Sequence, residues 1–388
     1  MREPATVARM RPFTSTIFAE MSALAVRTGA INLGQGFPDT DGPASMLAAA
    51  REAIAGGVNQ YPPGLGIPEL RAAVAEQRAQ YGTHYDPDTE ILITVGATEA
   101  IASALLGLVE PGEEVIVVEP YYDSYAAGVA LAGATRRVVP LREDASGRFG
   151  LDPAEVRAAV GPKTRAILIN SPHNPTGTVL NREELAGLAE VCVEHDLLAI
   201  TDEVYEHLRY DGVPHLPLAT FPGMAERTVT VSSAGKTFSC TGWKIGWACG
   251  PAPLIAGVRA AKQFLTYVGG APFQPAVALA LRTEQAWVAG LRDSLRDKRD
   301  RLTAGLSEVG FAVRPSRGTY FLCADVRPLG YADGAELCWQ LPERIGVAAV
   351  PVQVFTDSPE RWKHLVRFAF CKKDDVLDEA IERLHKLR

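Results

Sequence analysis

The sequence predicts an α/β protein with a mostly parallel sheet between helices, followed by a smaller α+β domain. Between residues 91 and 250, short β-rich apolar runs alternate with amphipathic helical stretches, which is the pattern of βαβ units. From Trp287 onward, a long charged helix and several short strands replace this alternation. The chain has 388 residues, of which 47% are hydrophobic, and this is enough for a large core in one or two domains.

Six strands are predicted in the alternating region: ILITV (91–95), EVIVVEP (114–120), RAILIN (165–170), LLAITDEV (197–204), TVTVSS (228–233) and KIGWACG (244–250). Amphipathic helices are predicted over 98–109 and 182–196, and the long charged helix over 286–309. The short strands after that helix are FAVRPS, GTYFLCADV, GVAAVPV and HLVRFAF. We therefore expect a large domain over 45–283 and a small domain over 284–388, with residues 1–44 forming an N-terminal arm and part of the small domain.

The composition gives no reason to expect a polyanion or a membrane as a partner. The net charge is −7 and the isoelectric point is near 5.6, so neither nucleic acid nor an anionic membrane is favoured electrostatically. The N-terminal residues MREPATVARMRPF lack the apolar segment of a signal peptide, and no apolar run reaches about 18 residues. The six cysteines form no CxxC pair, and the seven histidines show no metal-ligand spacing. We expect a cytoplasmic protein with reduced cysteines and no metal site.

Two turns that follow strands carry groups able to bind a ligand. In TVGATEAIASA (94–104), a Gly-containing turn leads into a helix whose free N–H groups favour an anion such as phosphate. The alternative is an ordinary strand-to-helix turn. In SPHNPTG (171–177), two prolines and a glycine hold Asn174 at the carboxyl end of a strand, where open α/β sheets bind ligands. The alternative there is a simple Asx turn, in which His173 is expected to be exposed.

Two further segments carry an acid and an amine. In ITDEVYEHL (200–208), Asp202 ends a strand and either faces a ligand or caps the next helix. In SSAGKTFSCTGWKIGW (232–247), Lys236 directly follows a strand, and a lysine desolvated in a cleft is a usable amine nucleophile for a carbonyl. Lys236 is not a P-loop lysine, because Thr230 stands where the motif GxxxxGK[ST] requires glycine.

The four segments together meet the requirements of one cofactor, pyridoxal 5′-phosphate. This cofactor needs a lysine for a Schiff base, a carboxylate beside its ring nitrogen, a phosphate-binding turn and hydrogen-bonding groups for its phenolic oxygen. Lys236, Asp202, the turn before helix 98–109 and Asn174 supply these groups. A partly buried Asp202 would keep the ring nitrogen protonated, so that the ring can withdraw electrons.

The sequence resembles the class I/II aminotransferases of fold type I over nearly its whole length. The resemblance is carried by NLGQGFPD (32–39), NQYPPGLG (59–66), GATEA (96–100), EPYYDSY (119–125), SPHNPTG, TDEVYE, SSAGKTFSCTGWKIGW, GTYF (318–321) and LVRFAF (365–370). It implies a large domain with a seven-stranded, mostly parallel sheet. Within the family, the segments DEVYEHL, CTGWKIGWACGP and YVGGAPFQPA are most similar to actinobacterial N-succinyldiaminopimelate aminotransferases.

The resemblance implies a role for each residue around the cofactor ring. Lys236 stands at the position of the family's Schiff-base lysine, and Asp202 at that of the aspartate that pairs with the pyridine nitrogen. Asn174 and Tyr205 match the residues that bond the phenolic oxygen, and Tyr122 matches an aromatic side chain that stacks on the ring. The predicted catalytic residues are Lys236, Asp202 and Tyr205.

The resemblance also implies a phosphate site and a homodimer. Ala97 and Thr98 lie at the turn that donates to the phosphate, and Ser233 and Lys244 match further phosphate ligands. Tyr61 matches a tyrosine that reaches the phosphate from the partner subunit. A homodimer is therefore expected, in which each subunit completes the other's site.

For the substrate, the resemblance implies that Arg367 grips the α-carboxylate, a task that suits the parallel N–H groups of a guanidinium. Gly36 lies in an N-terminal loop that closes near the same carboxylate, and Asn174 and Phe18 complete the predicted substrate site. Relatives acting on aromatic amino acids tend to have Trp at the position of Phe18 and bulky residues at 269–270, where this chain has two glycines. A roomier pocket is therefore expected.

The predicted activity is ping-pong transamination, in which Lys236 moves the Cα proton of the substrate. The predicted exchange is between N-succinyl-LL-2,6-diaminopimelate and the glutamate/2-oxoglutarate pair, a step of lysine and diaminopimelate biosynthesis. The alternatives are a kynurenine-, glutamine- or methionine-type aminotransferase and a C–S β-lyase, because the same fold and cofactor can also expel a β-leaving group.

Overall fold

The computed structural model describes residues 5–387, which contain a seven-stranded sheet, a four-stranded sheet and two short strand pairs. The α-helices span Ile17–Thr28, Ala44–Ala55, Pro68–Ala79, Gly96–Leu108, Asp123–Leu131, Pro153–Ala159, Arg182–Glu194, Ala234–Thr237, Ala252–Lys262, Phe273–Thr283, Gln285–Val309, Gly334–Arg344, Pro359–Trp362 and Asp374–Leu384. Helices and strands alternate up to Cys249, so the predicted fold class is confirmed.

The large sheet contains all six strands predicted from the alternating pattern. In spatial order its strands are Ile91–Val95, Ile245–Cys249, Thr228–Ser233, Leu198–Asp202, Thr164–Asn170, Glu114–Glu119 and Thr135–Pro140. The apolar pattern does not predict the seventh strand, Thr135–Pro140. This strand lies at the edge of the sheet and carries two arginines, so it lacks the continuous apolar run of a central strand.

One strand runs against the other six. Ile245–Cys249 pairs antiparallel with both Ile91–Val95 and Thr228–Ser233, whereas the remaining pairs are parallel. Because it is antiparallel, the chain returns from Ser233 to Ile245 without the long crossover that parallel strands need. The carboxyl ends of six strands and the amino end of this one therefore lie at the same edge of the sheet.

Apolar side chains on the two faces of the sheet pack against different helices. Within Glu114–Glu119, Ile116 and Val117 point into separate clusters, as the two-residue repeat of a strand requires. Helix Arg182–Glu194 covers the first cluster and helix Gly96–Leu108 the second. Burial on both faces explains why the central strands read as unbroken apolar runs.

The C-terminal part of the chain contains the second sheet, whose pairs are all antiparallel. Its order is Ala312–Val313, Phe321–Asp325, Leu365–Ala369 and Val350–Pro351. The N-terminal segment joins this region, because Ile31–Asn32 pairs in parallel with Val347–Ala348 and Met21 lies in the same apolar cluster. The two ends of the chain thus share one core.

Local sequence signals fix the ends of several helices. Asn181 and Glu184 form a reciprocal capping box at the start of Arg182–Glu194. The long helix Gln285–Val309 ends at Gly310, whose φ of 114° is accessible mainly to glycine. Within residues 5–387, no helix combines the length and apolarity that a bilayer crossing requires.

Candidate active site

The predicted site residues meet at the carboxyl edge of the large sheet. Asn170, Asp202 and Ser233 each end a strand there, and Asn170 lies directly opposite Asp202 in the ladder. Helix Gly96–Leu108 begins at the same edge, immediately after the strand Ile91–Val95. A cavity of about 160 Å³ opens at this edge, and its lining includes Ala97, Thr98, Tyr122, Asn174, Asp202, Tyr205, Ser233, Lys236 and Lys244.

Lys236 lies in a single helical turn, Ala234–Thr237, directly after its strand. Its Nζ donates to the hydroxyl oxygen of Tyr320 at 2.8 Å and to the backbone oxygen of Gly36 at 3.4 Å. Burial disfavours the ammonium and lowers the pKa of Lys236 to about 8. A neutral fraction is therefore present near neutral pH, and a neutral amine can act as a nucleophile or a base.

Asp202 is buried at the end of its strand, with 5% of its surface exposed. The Tyr125 hydroxyl donates to its Oδ2 at 2.7 Å, and the backbone N–H of Val204 donates to its Oδ1 at 3.2 Å. Burial raises the pKa of Asp202 to about 6, against the lowering effect of these two hydrogen bonds. A turn follows Asp202 and no helix, so the helix-capping alternative is wrong. A cation beside this carboxylate would offset the cost of its burial.

Two positive groups lie together in the part of the cavity next to helix Gly96–Leu108. A Cβ built on Gly96 would lie 3.0 Å from the Nζ of Lys244, so this ammonium lies against the first residue of helix Gly96–Leu108. Among residues 5–387, no acidic side chain forms a salt bridge with Lys244. An ammonium beside the N-terminus of a thirteen-residue helix favours an anion with several oxygens, such as phosphate.

Arg367 is a buried cation on the strand Leu365–Ala369, with 1% of its surface exposed. Its Nη1 donates to Oδ1 of Asn174 at 2.9 Å and its Nη2 to the backbone oxygen of Gly34 at 2.7 Å, while Nε has no partner. In the described part of the chain, no carboxylate pairs with it. Burial lowers the pKa of Arg367, yet a guanidinium stays charged in proteins. An unpaired buried charge is costly, so this arrangement indicates an anionic ligand.

A second cavity, of about 250 Å³, contains Arg367. The Arg367 guanidinium carbon lies 4.0 Å from the ring centroid of Phe321 and 5.2 Å from that of Phe18. Gly36 also lines this cavity, and a Cβ there would lie 2.3 Å from Cζ of Phe321, so only glycine fits. The two cavities adjoin and form one cleft, because both are lined by Tyr122, Asn174, Tyr205 and Lys236.

Tyr61 lies outside the cleft of its own chain and lines neither cavity. It is 80% exposed and packs edge-on against Tyr267, with 5.4 Å between the ring centroids. Phe264 and Leu265, near Tyr267 in sequence, are 85% and 51% exposed. Tyr61 thus belongs to an exposed apolar patch, defined by Tyr61, Phe264, Leu265 and Tyr267.

The glycine pair at 269–270 does not enlarge the cleft of the same subunit. A Cβ on Gly269 would lie 2.8 Å from Val95, and one on Gly270 would lie 2.2 Å from Ile245. Gly270 also has a φ of 65°, which most other residues avoid. Neither glycine lines either cavity, so within one chain the pair serves close packing against the two strand ends and not substrate room.

His173 is buried, contrary to the expectation that it is exposed in its turn. Only 3% of its surface is accessible, and its Nδ1 lies 2.8 Å from Oγ1 of Thr176. Burial lowers the pKa of His173 to about 4, so the ring is neutral at pH 7. The reason is tertiary: the backbone N–H groups of Arg317 and Gly318 both donate to the oxygen of Gly177 and cover the turn.

Two tyrosines of the site have no role in the sequence-based prediction. Tyr125 bonds Asp202, and Tyr320 accepts from Lys236 while donating to the backbone oxygen of Gly36. Tyr205 packs edge-on against Tyr320 at 5.4 Å, and burial raises the pKa of its phenol. The three-residue spacing of Tyr122 and Tyr125, which places them on one helix face, is the signal that could have found Tyr125.

A buried ionic cluster, also absent from the prediction, lies behind the segment 202–206. Nη2 of the fully buried Arg78 donates to Oε2 of Glu203 at 2.7 Å, and Nη1 donates to Glu206. Nε2 of His215 is also 2.7 Å from Glu203. The three acidic and imidazole ligand atoms lie within 4.8 Å of one another, a spacing suited to a metal, but Arg78 already supplies the positive charge. The cluster therefore anchors the segment that carries Asp202 and Tyr205.

The cleft thus combines an amine, a buried carboxylate and two separate anion-binding groups. Lys244 and the adjacent helix end suit a phosphate, and Arg367 suits a carboxylate. Lys236 lines both cavities and can attack a carbonyl or carry a proton between them.

Comparison with known proteins gives one consistent family. The model of the family described as aminotransferase class I and II matches residues 28–384. A protein of Mycobacterium tuberculosis H37Rv, described as probable N-succinyldiaminopimelate aminotransferase DapC, is 66% identical over 98% of each chain. The methionine aminotransferase of Escherichia coli K12 is 41% identical over 96% of each chain. The solved structure of N-succinyldiaminopimelate aminotransferase from M. tuberculosis superposes with a TM-score of 0.97 and 67% identity, over 99% of this chain and 100% of that one.

Proposed function

The chain belongs to the class I and II aminotransferases, and from this premise we propose that it exchanges an amino group between N-succinyl-LL-2,6-diaminopimelate and the glutamate/2-oxoglutarate pair. The protein is an aminotransferase, as its full-length relatives are. The choice of substrate is supported by the M. tuberculosis relative that carries this name. One observation carries the proposal in the structure: Arg367, buried without a carboxylate partner, lines the same cleft as Lys236.

The family depends on pyridoxal 5′-phosphate, and the residues of the cleft fit this cofactor. Asp202 is a buried carboxylate that a protonated ring nitrogen would stabilise. Lys244 and the start of helix Gly96–Leu108 suit the phosphate, because both are positive and closely packed. We propose that the remaining contacts come from Ala97, Thr98, Tyr122, Asn174, Tyr205 and Ser233. When bound, pyridoxal 5′-phosphate supplies an aldehyde that an amine attacks and a ring that withdraws electrons from the substrate's Cα.

Lys236 is the proposed nucleophile and proton carrier. With a pKa of about 8, about a tenth of its amines are neutral at pH 7, far more than for a solvated lysine. The hydroxyl of Tyr320 and the backbone oxygen of Gly36 hold the amine in the cleft. Lys236 can therefore take the proton from the substrate's Cα as a base and return a proton as an acid.

Arg367 is the proposed anchor of the substrate's α-carboxylate. Asn174 and Gly34 hold its guanidinium in place, and the unpartnered Nε leaves a donor for the ligand. Gly36 and Phe18 complete the wall beside it. A carboxylate bound there would restore the charge balance that the buried arginine lacks within the described chain.

A cytoplasmic homodimer is the proposed state of the protein. The patch of Tyr61, Phe264, Leu265 and Tyr267 supports an interface, because exposed apolar groups of this kind mark association surfaces. Tyr61 would then reach the phosphate site of the partner subunit. All six cysteines are buried thiols without disulfides, which supports a reducing compartment.

The role of Lys236 is tested by the variant Lys236→Ala. We expect transamination to be abolished, because the side chain that moves the proton is removed. The control is Lys163→Ala, which removes an exposed lysine in the turn before the strand Thr164–Asn170 and should leave turnover unchanged. Substantial residual transamination by Lys236→Ala would contradict the assignment.

The substrate is tested by steady-state kinetics with four amino donors. N-succinyl-LL-2,6-diaminopimelate should give the highest kcat/KM, and kynurenine, methionine and glutamine lower values. A higher kcat/KM for any of these three would overturn the proposed substrate while leaving the aminotransferase activity intact.

A further inference from the structure

We propose that a third cavity, outside the cleft, binds the zwitterion of a small apolar α-amino acid. The cavity lies where helix Pro68–Ala79, residues 207–209 and helix Gln285–Val309 meet. Thr237 and Phe238, which directly follow Lys236 in the chain, also line it. None of the residues assigned to the cleft does so. The proposal concerns binding at this second site and does not depend on the identity of the amino donor.

The size of the cavity suits a small molecule. Its volume is about 270 Å³, close to the lower end of the range of small-molecule sites, about 300–1,000 Å³. One water accounts for about 30 Å³, so a single bound water would fill little of it.

Arg209 provides a cation for the carboxylate. Its Nε donates to the backbone oxygen of Glu206 at 2.7 Å and its Nη1 to that of Val213 at 2.9 Å. In residues 5–387, no carboxylate forms a salt bridge with it. The backbone contacts therefore fix the guanidinium without neutralising it, and Nη2 remains able to donate to a ligand.

Tyr81 provides a second donor. Nε2 of Gln77 donates to Nε2 of His207 at 2.9 Å, which places the imidazole proton on Nδ1. Nδ1 of His207 then donates to the Tyr81 oxygen at 3.1 Å. Burial lowers the pKa of His207 to about 4, in agreement with this neutral form. The Tyr81 oxygen thus accepts from His207, and its own O–H is free to donate to a carboxylate.

Glu284 provides an acceptor for an ammonium group. It lines the cavity, and within the described residues its carboxylate accepts from the neutral hydroxyl of Ser45 and forms no salt bridge with a cation. An ammonium group beside it would balance its negative charge. A second carboxylate would instead face this acceptor, so a zwitterion fits better than a dicarboxylate.

The rest of the lining fits an apolar side chain. Phe238, Leu281 and Val288 form an apolar wall. The other cation of the lining, Arg292, already has a partner, because it pairs with Asp293 at 3.3 Å. A carboxylate at Arg209, an ammonium at Glu284 and a short aliphatic side chain on this wall together describe an apolar α-amino acid.

The test is isothermal titration of the holoenzyme with α-methyl-L-leucine, which cannot be transaminated because it lacks a Cα hydrogen. The titration uses the Arg367→Gln background, in which the carboxylate anchor of the cleft is removed. We expect saturable binding there. Adding Tyr81→Phe or Arg209→Gln should weaken it about tenfold or more, because each removes a bond to a charged group.

A third variant tests the cavity in case the first two variants fail to fold. Val288→Trp fills the cavity from its apolar wall and leaves Arg209 and Tyr81 intact, so it should also abolish binding. Thermal unfolding of each variant serves as the folding control. Absence of saturable binding in the Arg367→Gln background, or binding that all three cavity variants leave unchanged, would overturn the proposal.

Discussion

Replacement of Arg78 by methionine tests how much the buried ionic cluster contributes through charge. Methionine keeps an unbranched apolar stem but leaves Glu203 and Glu206 without the guanidinium. Burial alone would raise the pKa of Glu203, but the charges and hydrogen bonds of Arg78 and His215 lower it from 4.5 to about 2. At 1.36 kcal/mol per pKa unit, this corresponds to about 3 kcal/mol of stabilisation at neutral pH. Breaking a buried ion pair in other proteins costs about 3–5 kcal/mol, a range that includes this value.

The pH dependence of this stabilisation follows from the same lowered pKa of Glu203. Glu203 binds its proton more weakly in the folded than in the unfolded chain, so its contribution is complete above about pH 4.5 and is lost as the pH falls towards 2. In Arg78→Met, the guanidinium no longer offsets the burial of Glu203, so the pKa of Glu203 rises. Its ionised carboxylate then destabilises the folded state as the pH increases. The stability difference between the two proteins should be widest near neutral pH and should narrow in acid.

Differential scanning calorimetry at a fixed scan rate measures the effect. About 2.1 cal/mol/K per residue over 388 residues gives an unfolding entropy of about 0.8 kcal/mol/K, so a loss of about 3 kcal/mol lowers Tm by about 4 °C. The control combines Arg78→Met with Glu203→Gln and Glu206→Gln, which removes the carboxylates together with the cation and should recover most of the loss. An unchanged Tm for Arg78→Met at pH 7 would refute the electrostatic account.

Three other changes test the cleft and its surroundings. Arg367→Lys should lower kcat/KM for the amino donor about 100-fold or more in steady-state assays, because an ammonium cannot make two parallel bonds to a carboxylate; a loss below fivefold would exclude the proposed role. Lys244→Gln should weaken binding of pyridoxal 5′-phosphate about tenfold in equilibrium dialysis, yet leave binding of pyridoxal, which has no phosphate, unchanged. His173 is neutral in the folded protein, with a pKa of about 4. The free energy of unfolding of the wild type should therefore fall by about 3 kcal/mol as the pH drops from about 6.5 to 4. In His173→Asn, unfolding measured over the same pH range should lack this decrease.

The sequence predicts the central strands because both faces of the sheet are covered. Runs such as RAILIN are then apolar throughout and stand out from the helices. The edge strand Thr135–Pro140 is not predicted, because one of its sides meets no other strand and its arginines reach solvent. Strand prediction therefore succeeds where the apolar run is unbroken, as it also is in the other edge strand, Ile91–Val95, and fails where exposed arginines interrupt the run.

The site residues show the same division between local and distant causes. Asp202 and Lys236 can be predicted because each directly follows a strand, and strand ends of an open sheet bind ligands. Tyr320 meets Lys236 across 84 positions and Arg78 meets Glu206 across 128, and no local pattern encodes such contacts. The burial of His173 likewise depends on a distant segment that covers its turn.

The bonds of Arg367 also have a consequence for the order in which the protein folds. They join it to Gly34 across 333 positions and to Asn174 across 193. During synthesis, the sheet edge with Asp202 and Lys236 is complete more than a hundred residues before Arg367 leaves the ribosome. Contacts of such long range carry a large loop-closure cost and form late. A nascent chain would therefore fold its cofactor edge first and acquire its carboxylate anchor last.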